Sequence, residues 1–357
     1  MAHRCRGRPQ PAHLPEDPAL KAVGFTHSLP ISDPRSLQDF QAPRPVASGH
    51  DLLVAVRAIS VNPVDFRVRR DVGPGNLSPR ILGYDAAGVV EAVGAECRLF
   101  RPGDEVWYAG DITRQGSNAQ YQLVDERIAG PKPRTLSWAD AAAMPLTLIT
   151  AWEALHEQLR VRRDGGDAGR TLLILGGGGG VGCIAIQLAR KAGLKVLATA
   201  SRPESVGQCL RFGADVVLDH GRDLKPQLAA AGHATVDLVF CCTELDPYIR
   251  LAAESLAPFG GICTIVAPRT PVDLGLFKVK ALRYSHEYMF ARSMFKTPDM
   301  IEQHHVLREA ATLFECGELR STRSATLGAV DASTLRAAHA RLETSHTLGK
   351  LVLEGWP

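Results

Sequence analysis

Three glycines, Gly177, Gly179 and Gly182, stand in the segment TLLILGGGGGVGCIAIQLARKAG, between an apolar run and a run with helical periodicity. This is the spacing G-x-G-x-x-G. Its first glycine permits a tight turn, its second lets the backbone approach a pyrophosphate, and its third lets helix and strand pack closely. The free N–H groups and positive end of the helix that starts there suit a phosphate. Five consecutive glycines also suit a flexible linker, but the strand–turn–helix context and a second strand at the expected spacing point to a dinucleotide site.

The end of that second strand bears on which dinucleotide. A ribose 2′-hydroxyl is usually held by an Asp or Glu about 20 residues after the glycines. Here KVLATA runs into Ser201 and Arg202. A carboxylate would repel a 2′-phosphate, whereas a hydroxyl and a guanidinium attract one. Glu204 is the nearby acid and lies just inside the next helix, where it supports the helix N-terminus. NADPH is expected over NADH.

The elements around these residues form two patterns. From Lys21 to about Leu146, short strands (KAVGF, DLLVAVRAISV, AAGVVEAVG, GDEVWYAG, AQYQLV) are separated by Gly and Pro, which predicts an antiparallel, barrel-like domain. Near Ser137 the pattern turns helical. After the polar hinge RRDGGDAGR, strands and helices alternate, and the strands are nearly all apolar. That predicts a parallel sheet covered on both faces by helices. A helix over Asp299–Glu315, a strand near Ala325–Val330, a helix over Ser333–Glu343 and a last strand, GKLVLEG, resemble the first half more than the middle. Residues 1–18, with four prolines and no apolar core, are expected to be a disordered extension.

Composition narrows the class. The chain has 357 residues, 45% hydrophobic and 22% charged, which is ordinary for a soluble globular protein of about two domains. Its 41 basic and 38 acidic residues are interspersed, giving a net charge of +3 and no basic stripe for nucleic acid. The longest apolar stretch, Ala141–Trp152, is short and interrupted by Pro145, so no membrane span is expected. None of the eight cysteines forms a C-x-x-C pair, and several lie in apolar runs. Reduced, mostly buried thiols in a cytoplasmic protein are expected. His304–His305 are adjacent on a helix, diverge by about 100° and read as a polar face.

NPVD (62–65), LGYDAAGVVEAVG (82–94), F-x-x-GDEV (100–106), AAAMPLTLITAWEAL (141–155), GGGGGVG (176–182), TASRPES (199–205) and GADVVLDH (213–220) together resemble the medium-chain dehydrogenase/reductase superfamily, in particular its zinc-free quinone oxidoreductase branch. The resemblance covers roughly residues 20–357. It implies an α/β fold in which a doubly wound, Rossmann-type nucleotide domain (146–285) is inserted into a GroES-like β-barrel catalytic domain made of residues 19–145 and 286–357. Zinc-dependent relatives carry a cysteine and a histidine where this chain resembles them at Asn62 and Tyr84, and the four-cysteine lobe is missing. No metal site is expected.

The implied reaction is hydride transfer from NADPH to a quinone or an α,β-unsaturated carbonyl, in a homodimer or homotetramer. Asn62 and Asp65 would line the cleft, and the Tyr84 phenol would donate to a developing oxyanion. NPVD is equally a turn with Asp65 as helix N-cap. The resemblance also places Thr150 at the nicotinamide or its ribose, and the backbone N–H groups of Gly180 and Val181 at the pyrophosphate. It places His220 beside the adenine-end phosphate, and Cys242, Thr243 and Ala267 at strand ends facing the cofactor. Thr150 is otherwise a buried helical threonine and His220 an exposed strand-end histidine. Lys350 would close the site from the last strand, although a surface lysine is the readier reading. Gly178 replaces the alanine usual in the motif. Two alternatives stay open: a zinc-dependent alcohol dehydrogenase, and a non-catalytic NADPH-binding structural or regulatory protein.

Overall fold

The computed structural model describes residues 19–71 and 79–357. The expected extension, residues 1–18, lies outside them.

Six parallel strands form the nucleotide sheet, in the order Val216–Leu218, Lys195–Thr199, Thr171–Leu175, Val236–Cys241, Leu256–Thr264 and Arg283–His286. Numbered along the chain, this is the order 3-2-1-4-5-6 of a doubly wound sheet, with its crevice where the order reverses, between the carboxyl ends of Thr171–Leu175 and Val236–Cys241. The central strand is apolar at nearly every position because helices cover both faces: Leu172, Leu173, Ile174 and Leu175 are all fully buried.

A second sheet joins both ends of the chain. Its order is Arg323–Thr326, Lys350–Glu354, Asp51–Val61, Ala86–Val93, Glu105–Tyr108 and Ala129–Pro131, with Tyr121–Asp125 also paired to Asp51–Val61. The late strand Lys350–Glu354 lies antiparallel to Asp51–Val61, Leu351 opposite Val61 and Leu353 opposite Ile59. The nucleotide unit is therefore inserted within the barrel-like one. A three-stranded sheet, Gln38–Ala42, Leu20–Phe25 and Arg80–Ile81, completes the architecture. One apolar core runs through both units, from Leu52 and Trp107 through Leu148 and Ile184 to Leu353.

The helical stretch that begins at Ser137 breaks into three pieces. Trp138–Ala142 is capped by the Ser137 hydroxyl, which accepts from Asp140 N at 3.1 Å. Pro145 has no N–H to continue it, and so opens the next helix, Pro145–Trp152. A π-helical turn, Glu153–Gln158, follows. His304 is not on a polar face: the helix Glu302–Glu315 turns it inward, buried, with Nδ1 2.8 Å from the Ala129 carbonyl oxygen. Its neighbour His305 faces outward beside Glu302. Among the described cysteines only Cys316 is exposed, Cys242 is half-buried and the rest are buried and unbridged. No helix of the described residues is long and apolar enough to cross a membrane.

Candidate active site

The glycine turn joins the central strand to the helix Gly180–Lys191. Gly176 takes φ +85°, a left-handed conformation that favours glycine. A Cβ at Gly177 would lie 2.8 Å from Ala198 Cβ, and one at Gly182 only 2.4 Å from the Gly176 carbonyl oxygen. These positions must be bare for strand, turn and helix to meet. Gly179 is the N-cap and no side chain caps the helix, so its first N–H groups are left for a ligand. A Cβ at Gly179 would have nothing nearer than 3.6 Å, which leaves room for a pyrophosphate to approach the backbone. The turn thus fits a dinucleotide. Cys242 and Thr243 stand at the crevice itself, Cys242 N donating to the Leu175 carbonyl oxygen at 2.9 Å.

Opposite the turn lies a buried polar cluster. Asp85 is fully buried; its Oδ2 accepts from Ser60 Oγ at 2.8 Å, Asn62 Nδ2 at 2.7 Å and Lys350 Nζ at 2.7 Å. Its Oδ1 accepts from Leu146 N at 2.7 Å, which ties the cluster to the Pro145–Trp152 helix. Lys350 Nζ also donates to Asn62 Oδ1. Lys350 is therefore no surface lysine. The first residue of an inner strand, it points its stem across Gly180, where a Cβ would lie 2.8 Å from Lys350 Cδ.

Asp65 is the third residue of the helix Pro63–Asp71 and not its N-cap. Its carboxylate reaches back to accept from Asn62 N at 2.5 Å, and from Gly83 N at 3.1 Å. Burial pushes its pKa up to about 7, against the pull of those two N–H groups and of Lys350. Tyr84 is fully buried, edge-on to Phe290 with centroids 5.4 Å apart, and its hydroxyl has no hydrogen-bond partner among the described residues. Burial, with the nearby Asp65 charge, raises the phenol to about 12, partly offset by Arg80.

Thr150 is buried, its hydroxyl donating to the Leu146 carbonyl at 2.8 Å. Ser201 is exposed at the end of Lys195–Thr199. Arg202 caps the following helix Pro203–Phe212, and its Nη2 donates to the His346 carbonyl at 2.8 Å. His220, in the turn after Val216–Leu218, and Ala267, beyond Thr264, are exposed at the sheet's rim.

The alcohol dehydrogenase GroES-like domain family matches residues 48–145, and the zinc-binding dehydrogenase family matches residues 212–353. A zinc-type alcohol dehydrogenase-like protein of Staphylococcus aureus is 39% identical over 94% of this chain and 99% of its own length. The chain belongs to the medium-chain dehydrogenase/reductase superfamily. A Rhizobium etli protein whose crystal structure carries the name of a zinc-dependent alcohol dehydrogenase superposes with a TM-score of 0.91, at 47% identity, over 96% of this chain and 99% of that one. The quinone oxidoreductase of Escherichia coli, complexed with NADPH, shares the fold at TM-score 0.77 and 23% identity, over 94% and 99% of the two chains.

As a superfamily member the protein is an oxidoreductase with a nicotinamide cofactor. Zinc is the metal that its relatives' names imply, and the donor set does not fit one. The amide oxygen of Asn62 faces the Lys350 ammonium, a cation that would repel a second. Among the described residues no three His, Cys, Asp or Glu side chains converge as ligands. The reading of the sequence missed Asp85 and Ser60. The signal for Asp85 was present: one carboxylate in an otherwise uncharged stretch, LGYDAAGVV, that had to meet a buried cation.

Proposed function

We propose that the protein is a metal-independent NADPH reductase of quinones or α,β-unsaturated carbonyls. The observation that carries this reading is the pairing of Lys350 with Asn62 and Asp85. It puts a fixed organic cation beside Asn62, one of the positions where zinc-dependent relatives resemble this chain with a metal ligand. A partial relative supports the substrate class: the 2-methylene-furan-3-one reductase of Solanum lycopersicum is 37% identical, over 48% of this chain and 45% of its own.

When bound, the nicotinamide supplies the hydride. The glycine turn and the Gly180–Lys191 helix hold its pyrophosphate, Thr150 lies at its nicotinamide end, and Ser201 with Arg202 receives its 2′-phosphate. Tyr84 brings a phenol that is protonated at neutral pH and has no hydrogen-bond partner among the described residues. It is suited to stabilise negative charge on a substrate oxygen. Asp65, which burial raises to about 7, lies close enough to Tyr84 to act on its phenol and is suited to hold a proton there.

The test is steady-state oxidation of NADPH and NADH against a panel of ortho-quinones and small enones, with metal analysis of the purified protein. Turnover with NADPH in the presence of chelator is expected. Stoichiometric zinc required for activity would move the protein to the zinc-dependent alcohol dehydrogenases. Tight NADPH binding without turnover of any acceptor would make it a binding protein. Arg202→Ala should raise the KM for NADPH far more than that for NADH, and equal effects would remove Arg202 from the 2′-phosphate.

A further inference from the structure

Two buried carboxyls lie outside the site described above. The side chains of Glu153 and Glu287 are hydrogen-bonded to each other, and both residues are buried. Glu153 ends the helix Pro145–Trp152, which carries Thr150 one turn earlier, and opens the π-helical turn. Glu287 follows the last strand of the nucleotide sheet, and its N donates to the Thr264 carbonyl at 2.9 Å. One cation serves the group. Arg292 donates through Nη1 to Glu153 Oε1 at 2.7 Å, and through Nη2 to Glu157 Oε2 at 2.9 Å and Asp299 Oδ2 at 3.0 Å. The Cys263 thiol faces Glu287 from the neighbouring strand, and burial raises it to about 12, so it stays protonated.

Four acids therefore face one guanidinium. The Glu157 and Asp299 side chains are 38% and 55% exposed, so water supports their charges. Glu153 has the guanidinium. No cation is left to pair with Glu287, whose Oε1 has no hydrogen-bond partner among the described residues. Two ionised carboxyls cannot share a buried contact, and a hydrogen bond between them needs a proton. Burial, with the Glu153 charge, pushes Glu287 up to about 10.

We propose that Glu153 and Glu287 hold one proton between them, and that the neutral Glu287 is a positioning residue that sets Phe290 against Tyr84. Phe290 follows three residues on, its ring edge-on to Tyr84. The segment between is held at its start by Glu287 and at its end by Arg292, and the Met289 carbonyl accepts from the buried Gln303 Nε2 at 2.6 Å. By donating to Glu153, Glu287 joins the segment that carries Phe290 to the helix that carries Thr150. The effect on turnover rests on the role given to Tyr84 above; the shared proton does not.

Urea unfolding of the full chain from pH 6 to 9, wild type against Glu287→Gln, tests the proton. The glutamine amide donates to Glu153 without titrating. An unfolded glutamate loses its proton near about pH 4.3, and the folded Glu287 only near 10, so across this range the folded chain holds one proton more. Its stabilising effect is lost as pH rises. Relative to Glu287→Gln, the wild-type folding constant should fall about tenfold per pH unit. Parallel pH dependences overturn the shared proton. NADPH oxidation tests the positioning. Glu287→Leu should lower kcat by about 10–10²-fold with the KM for NADPH held, and Glu287→Gln should restore it. The loss should vanish in a Tyr84→Phe background. A glutamine variant as slow as the leucine one, or a loss undiminished without the phenol, overturns the positioning role. An unchanged kcat in Tyr84→Phe removes both Tyr84 and this positioning from the reaction, while the unfolding comparison still decides the proton.

Discussion

Lys350 Nζ lies 2.7 Å from Asp85 Oδ2, with 4% and 0% of the two side chains exposed. The pair joins the last strand to the loop before Ala86–Val93, and Asn62 and Ser60 complete the hydrogen bonds of the acid. A buried pair of this kind adds little net stability, but removing one partner leaves a charge with nothing to balance it. Lys350→Met should therefore cost about 3–5 kcal/mol in urea unfolding. The double variant Lys350→Met/Asp85→Asn should recover much of that loss. Additive losses in the two single variants would show that the pair is not coupled.

Gly178 is a second point of decision. Replacing glycine by alanine at a compatible site usually stabilises by about 0.4–1 kcal/mol through the unfolded chain. Here the new Cβ would meet Ser205 Cβ at 2.9 Å, and Ser205 is buried, its hydroxyl accepting from Arg202 N at 3.2 Å. Gly178→Ala should destabilise by about 1–3 kcal/mol, as overpacking does, and weaken NADPH binding. A raised melting temperature would contradict this. The departure from the superfamily's usual alanine thus answers to Ser205 and not only to flexibility.

Tyr84→Phe should separate folding from chemistry. Its hydroxyl is buried without a hydrogen-bond partner among the described residues, so removing it should leave stability unchanged or improve it by up to about 1 kcal/mol. If the phenol donates to a substrate oxyanion, kcat should fall about 10²-fold while the KM for NADPH holds. An unchanged kcat would take Tyr84 out of the reaction.

His339 gives a pH prediction away from the site. It is fully buried on the helix Ala332–Glu343, neither ring nitrogen has a partner among the described residues, and burial, aided by Arg69, lowers its pKa to about 3. The unfolded ring takes its proton near pH 6.5. The depressed folded value means that the stability is present above about pH 6.5 and is lost as pH falls towards 3. By pH 5 the loss should be about 2 kcal/mol. His339→Leu should lack this component when urea unfolding is compared at pH 8 and pH 5; an identical pH dependence would refute it.

The nucleotide half was legible because its signals are local. The glycine spacing, the apolar strands and Pro203 at a helix start each act within a few residues, and Pro203 does open its helix. The catalytic half was harder to read. GKLVLEG showed a strand, but nothing near Lys350 in sequence shows that its head meets Asn62 and Asp85, 288 and 265 residues away. Asp65 was misplaced by a smaller margin. The Asn-Pro step marked the turn, but the helix begins at Pro63, so the carboxylate caps backward from the third position. His304 was misread because the helix face it shares with Leu307 and Ala311 is covered by the segment around Ala129, a contact made across the fold.

The nested arrangement also bears on how the chain is made. Strand Asp51–Val61 leaves the ribosome early, yet the Ala58–Val61 half of one edge, beyond the part paired with Tyr121–Asp125, has no partner until Lys350–Glu354 is synthesised. The 288 residues between Asn62 and Lys350 take roughly 15–60 s to translate at ordinary rates. In that interval the nucleotide sheet can close on itself, while the barrel half carries an exposed strand edge and Asp85 lacks its cation. During synthesis, the cluster that would serve the reaction is among the last parts of the molecule to form.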